Sequence, residues 1–65
     1  MTIFVELQKV TESGEETGSP LFVNPDLVCS ITCTSVRTEL KMADGSEKWC
    51  KESPERVVRK FCEVL

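Results

Sequence analysis

The sequence predicts an α+β fold: a small antiparallel sheet of about four to five short strands built from β-hairpins, then one C-terminal amphipathic helix packed on it. Three observations carry that expectation. Apolar and polar residues alternate with the period of a strand over 3–8, 27–33 and 36–42. Turn chemistry separates the runs, at Asn24-Pro25-Asp26 and at Asp44-Gly45. Ser53-Pro54-Glu55 then opens a segment whose apolar residues recur at helical spacing.

In chain order, Ile3, Val5 and Leu7 alternate with Phe4, Glu6 and Gln8, which reads as a first strand over 2–10. Residues 11–20 are polar, acidic and glycine-containing with no periodicity, and read as a long hairpin loop. Leu21-Phe22-Val23 is a brief strand, and Asn24-Pro25-Asp26 turns the chain. Leu27, Cys29, Ile31 and Cys33 form the apolar face of the next strand, Thr34-Ser35 turns again, and Val36, Thr38, Leu40 and Met42 form the inner face of a half-buried one. Asp44-Gly45 suits a two-residue type I′ turn, which pairs Leu40 with Trp49 and Cys50 with Glu39. A three-residue loop would reverse the faces and set Cys50 beside Leu40; the two-residue loop is favoured because it buries the only tryptophan.

The final element reads as a helix over 54–65. Ser53 supplies a capping hydroxyl, Pro54 a residue whose missing N–H costs nothing in a first turn, and Glu55 an acid near the positive end of the helix dipole. Arg56 stands where a full capping box would have Glu or Gln. Val57, Val58, Phe61, Cys62, Val64 and Leu65 fall on one face, predicted to lie on the sheet, and Glu55, Arg56, Arg59, Lys60 and Glu63 on the other. Residues 1–65 therefore read as a single domain, with 21–52 as the β-hairpins.

Composition narrows the function classes. A chain of 65 residues buries only roughly 60% of the surface it exposes unfolded, so a homo-oligomer is expected to supplement a thin core. The start lacks the basic region and long apolar stretch of a signal peptide, and no run is long enough for a membrane span, so a cytoplasmic protein without membrane insertion is expected. The formal charge is −3, unevenly placed: residues 1–35 carry Lys9 against Glu6, Glu12, Glu15, Glu16 and Asp26, and residues 36–65 are slightly basic. A dedicated duplex binder would show a clear basic excess, so nucleic acid is an unfavoured partner.

Candidate chemistry is sparse. There is no histidine, no nucleophile elbow and no glycine-rich phosphate loop ahead of a helix, so no catalytic residue is named and no enzyme is expected. Of the four cysteines, Cys29 and Cys33 lie on one strand with Cα atoms roughly 13 Å apart, too far to bridge or share a zinc ion. Small buried hydrophobes is the preferred reading of the cysteines, with a thiol or zinc module kept as a third possibility. Lys48, Lys51, Arg56, Arg59 and Lys60 form the one candidate binding set: a solvated face in the plain reading, a docking face for an acidic protein or RNA in the sharper one.

Three segments carry a family resemblance. Leu21-Phe22-Val23-Asn24-Pro25-Asp26-Leu27-Val28, the later Val36, Leu40 and Asp44-Gly45, and Lys51-Glu52-Ser53-Pro54-Glu55-Arg56-Val57-Val58 together resemble the FlbD-like (SwrD-type) family, short bacterial proteins associated with flagella and swarming motility. The similarity covers Leu21 to Leu65 and the initial strand. It implies a small cytoplasmic accessory protein with no enzyme activity and no cofactor, acting through contacts with a protein partner such as a flagellar motor component. The segment 11–20 is longer and more acidic than the tight first hairpin of that family, and the cysteines and Trp49 are additions to its pattern. A small β-rich RNA-binding module is the alternative.

Overall fold

The structure, a computed structural model, describes residues 3–64; the predicted strand start at Thr2 and the stripe position Leu65 lie outside them. Five strands and a helix follow in order: β1 (Val5–Val10), β2 (Glu16–Val23), a 3₁₀ turn (Pro25–Leu27), β3 (Val28–Cys33), β4 (Thr38–Met42), β5 (Glu47–Cys50) and α1 (Pro54–Val64). The strands form one antiparallel sheet in the order β2-β1-β5-β4-β3. The predicted α+β fold is the observed one. A β1–β2 hairpin and a β3–β4–β5 meander meet where β1 pairs with β5, and α1 packs against β1 and β3.

The core is small. Val5 and Leu7 of β1, Val23 of β2, Leu40 of β4, Cys50 of β5, and Val57 and Phe61 of α1 make one buried cluster. Leu21, Val28, Ile31 and Met42 are half-buried against it. β1 contributes alternate residues and the helix a pair at i and i+4, so the strand and helix periods read from the sequence are those that fill the core there.

Three local predictions are corrected. The first concerns residues 11–20: the loop spans only Thr11–Glu15, closed by Thr11 N–H to Glu15 O at 2.8 Å and Gly14 N–H to Thr11 O at 2.9 Å, and Glu16–Pro20 belong to an eight-residue β2. This stretch shows no apolar alternation because both of its faces are exposed. It tolerates Pro20 because β2 is an edge strand, where a missing N–H breaks no ladder bond.

The second concerns β4 and β5. Met42 N–H bonds Ser46 O at 2.8 Å around Ala43-Asp44-Gly45, a three-residue loop with only Gly45 at positive φ (+90°). Asp44 keeps an ordinary negative φ because its carboxylate accepts from Ser46 N–H at 2.9 Å and Ser46 Oγ at 2.7 Å, a side-chain turn that a type I′ hairpin would break. Glu39 therefore faces Trp49, Thr38 faces Cys50, and Leu40 faces Lys48. Cys50 is fully buried with Leu40 on the core face, and Trp49 is half-buried on the opposite one.

The third concerns apolar faces. Leu27 sits in the 3₁₀ turn, where Asn24 Oδ1 accepts from Asp26 N–H at 3.0 Å, and a bulge between Val28 and Ser30 shifts the phase of β3. Val28 and Ile31 turn inward and Cys29 and Cys33 are exposed, so three of the four cysteines (Cys62 included) are not the buried hydrophobes expected. Val36 lies exposed in the Thr34–Arg37 turn, and on α1 Val58 and Val64 are exposed.

Gly14 locks the two halves together. Its φ is +89°, and a Cβ there would meet Val36 O at 2.3 Å, so backbone of the β1–β2 loop lies directly on backbone of the β3–β4 turn. Arg37 Nη1 reinforces this by donating to Glu12 O. Gly14→Ala is expected to lower the unfolding free energy by about 2 kcal/mol or more, combining left-handed strain with the clash. Gly45→Ala, with φ +90° but open space around it, is expected to cost about 1 kcal/mol. Urea denaturation midpoints check both, and equal losses would mean that the loop–turn contact does not matter.

Candidate functional site

The five basic residues singled out in the sequence do not form one patch. Lys51, Arg56 and Lys60 line a concavity of about 420 Å³ together with Gln8, Glu16, Glu52 and Ser53. Lys48 lies elsewhere, at the rim of a concavity of about 400 Å³ beside Leu27, Met42 and Asp44. Arg59 is exposed on α1 and lines neither.

Within the first concavity, charge is largely matched internally. Glu52, in the link between β5 and α1, accepts Gln8 N–H on both carboxylate oxygens at 3.0 and 3.1 Å. Lys60 Nζ sits 3.4 Å from Glu52 Oε2 and donates to Glu6 O at 3.1 Å. Glu52 O accepts from Thr38 Oγ1 at 2.5 Å, and Lys51 N–H bonds Gln8 O at 3.0 Å. One residue thus ties β1, β4, β5 and α1 together. Lys51 forms an exposed pair with Glu16 at 3.2 Å. Arg56 and Arg59 make no ion pair with any other described residue. Glu52 was not picked out as functional by sequence reasoning; its only signal is its place in Lys51-Glu52-Ser53, one of the segments carrying the family resemblance.

A second cluster lies on the outer face of β4 and β5. The Arg37 guanidinium stands 4.5 Å from the Trp49 ring centroid and pairs with Glu39 Oε2 at 2.7 Å, with both side chains largely buried. The ring face that the RNA reading would offer to a base is covered by this stack. Arg37 was also passed over in the sequence, because its role depends on the three-residue loop that turns Trp49 outward.

The cysteines stand apart. All four are free thiols, and no group of three metal-ligating side chains is close enough to hold an ion among the described residues. Cys50 is enclosed by the core and its thiol is pushed up to about 11, mainly by burial and then by the nearby Glu52 carboxylate. Asp44 is held below the usual carboxylate range by its Ser46 hydrogen bonds.

Aromatic surface lies on the remaining outer face. Phe22 faces Glu6 across the β1–β2 ladder, on the side away from Val5 and Leu7, and is 56% exposed. Phe4, one residue before β1, is 60% exposed, and strand alternation places it on the same side. No helix among the described residues is long and apolar enough to cross a membrane. No protein-family model, curated protein or solved structure matches the chain.

Two outcomes are expected. Glu52→Ala should destabilise the protein by about 2 kcal/mol, since hydrogen bonds to charged groups contribute about 1.5–3 kcal/mol. Lys51→Ala, which removes an exposed pair, should cost under about 0.5 kcal/mol. Denaturant titration separates the two, and equal small losses would remove Glu52 from its central place. In thiol titration at pH 8, Cys29, Cys33 and Cys62 should react in the native protein and Cys50 only on unfolding. The stability linked to the Cys50 thiol is whole below the ordinary thiol value of 9.0 and is lost as pH rises through about 11.

Proposed function

We propose that this chain is a non-catalytic protein-interaction module of the FlbD-like kind, acting in the cytoplasm to support flagellar motor or swarming function and self-associating as it does so. The observation that carries the interaction reading is the exposed aromatic pair Phe4 and Phe22, on the outer face of the β1–β2 hairpin, which α1 does not cover among the described residues. Large aromatics on an open sheet face are the anchors expected of a docking surface, where truncation costs most binding energy.

The charged groups support the same reading. Glu52, Lys60, Arg37 and Glu39 are held in internal contacts that position strands and helix. The family resemblance supplies the motility context, and its motifs have visible work in this fold: Asn24 caps the 3₁₀ turn, Asp44-Gly45 closes the β4–β5 hairpin, and Ser53 Oγ accepts Arg56 N–H at 3.3 Å. The exposed cations Lys48, Arg56 and Arg59 lie on the core-face side of the sheet with α1, across from Phe4 and Phe22, so the aromatic surface stands apart from them. The RNA alternative is weakened because Lys51 and Lys60 already face carboxylates and Trp49 already carries a cation.

Deletion of the gene should impair swarming, and the wild-type chain, but not Phe22→Ala or Phe4→Ala, should restore it and retain a partner in pull-down from native cytoplasm. Each variant should lower partner affinity about tenfold or more while leaving the denaturation midpoint unchanged, as expected for an exposed anchor. Unimpaired motility after deletion would overturn the motility reading. Steeply salt-dependent retention on RNA resin would favour the alternative.

A further inference from the structure

Several positions patterned as core but exposed in the fold lie in one region. Cys33 of β3 and Val58 and Cys62 of α1 all have core-type periodicity, and all are exposed. With Val57 and Phe61 pointing inward, a helical wheel places Lys60 on one flank of α1 and Val58 and Cys62 on the other. Lys60 reaches Glu6 O on β1, and α1 also packs against β3, so the Val58–Cys62 flank is the one on the β3 side. A concavity of about 260 Å³ lined by Pro25, Val28, Cys29, Ser30, Ile31 and Phe61 lies there, and the edge of β3 is open beside it.

That edge has unmet hydrogen-bonding capacity. Thr34 N–H bonds Arg37 O at 2.8 Å, in register with Cys33 opposite Thr38 and Ile31 opposite Leu40. Antiparallel alternation then directs the backbone groups of Thr34 and Thr32 toward β4, and those of Cys33 and Ile31 outward from the sheet. The opposite edge is protected: β2 contains Pro20, Gly18 at φ +79° and Glu16. By contrast, Val28-Cys29-Ser30-Ile31-Thr32-Cys33 and the following Thr34-Ser35-Val36 hold no charge, no proline and no glycine. In a chain of net charge −3, pairing along this segment brings no charged side chains of the strand together.

Resting on the self-association in the reading above, and naming its surface, we propose that the β3 edge is a homodimer interface, at which a second copy of this chain pairs its own β3 antiparallel about a two-fold axis beside Thr32. The register follows from the free groups. Setting Ile31 of each copy opposite Cys33 of the other uses all the outward N–H and C=O groups of both residues. A two-fold axis normal to the sheet keeps both core faces on one side, so the two α1 helices flank the axis with Val58 and Cys62 turned toward each other. The two Thr32 residues form a non-hydrogen-bonded pair, with Cα atoms about 4.5 Å apart.

Analytical ultracentrifugation at about 100 µM protein under reducing conditions tests this, in the micromolar range where a modest interface would assemble. The wild-type chain should sediment as a dimer. Cys33→Pro removes an outward N–H and costs the monomer no ladder bond. It should weaken dimerisation at least tenfold, as should Val58→Lys on the exposed helix flank, whereas Ser19→Lys on the β2 edge should leave it unchanged. Thr32→Cys, oxidised at low micromolar concentration, should give a symmetric disulfide through position 32, identified by peptide mass spectrometry, since paired Cα atoms at that spacing suit the bond. A wild-type monomer at this concentration overturns both the interface and the self-association. A dimer unaffected by Cys33→Pro and Val58→Lys, without the position-32 cross-link, overturns the β3 interface and leaves self-association standing.

Discussion

The fold depends on how the inner edge of β1 is satisfied once β5 runs out. β5 is four residues long and shares a single in-register pair with β1, Lys9 opposite Cys50, plus the Lys51 N–H to Gln8 O bond. Beyond that point the chain leaves the sheet to enter α1, and the edge groups of Gln8 and Glu6 would face a gap. Glu52 and Lys60 close it: the carboxylate takes Gln8 N–H and the ammonium takes Glu6 O. An ion pair here substitutes for strand pairing, and its partners come from the linker and the helix. Docking of α1 and completion of the sheet are therefore one event, because neither charge has its partner until both are in place. Partly buried charges left alone would be costly, which makes the arrangement closer to all-or-none than the small apolar core suggests.

How much of this was legible in the sequence depends on the scale of the question. Element types were legible because period 2 and period 3.6 are imposed by burial, and Val5, Leu7, Leu40, Val57 and Phe61 do point inward. Register was less so. The choice between two and three loop residues at Asp44-Gly45 turns on whether Asp44 bonds Ser46 or adopts positive φ, a difference of local hydrogen bonding that composition does not encode. That one residue decides whether Cys50 or Trp49 enters the core, and with it whether Arg37 has an aromatic face to stack on. β2 was hidden for the opposite reason: with both faces exposed, Glu16–Pro20 has no burial period to read. The clamp at Glu52 was invisible because its partners are backbone atoms of β1, more than forty residues away in the chain.

The exposed apolar residues are a separate case. Sequence patterning reports which residues would suit burial, and exposure reports which of them the single chain buries. Where patterning and exposure agree, as at Leu7 and Leu40, the monomer accounts for the residue. Where they disagree without a local reason, beside the open β3 edge, the exposure is the observation on which the proposed interface rests. Cys29 has a local reason, the bulge that shifts β3. Val58, Cys62 and Cys33 have none: the helix is regular through Val64, and the β3–β4 ladder is in register from Ser30 to Cys33.

Phe4 and Phe22 belong to a different case. They alternate with core residues on the outer face of the hairpin, a position patterning assigns to solvent, so their apolar character is not a residue of core formation. The molecule thus presents two kinds of uncovered apolar surface, set by different constraints. One lies beside the β3 edge, where the second copy is proposed to pair. The other stands on the far side of β1 and β2, away from that edge in the strand order, and stays open when the first is filled. On the proposed reading, this separation keeps self-association and partner binding from competing for one surface.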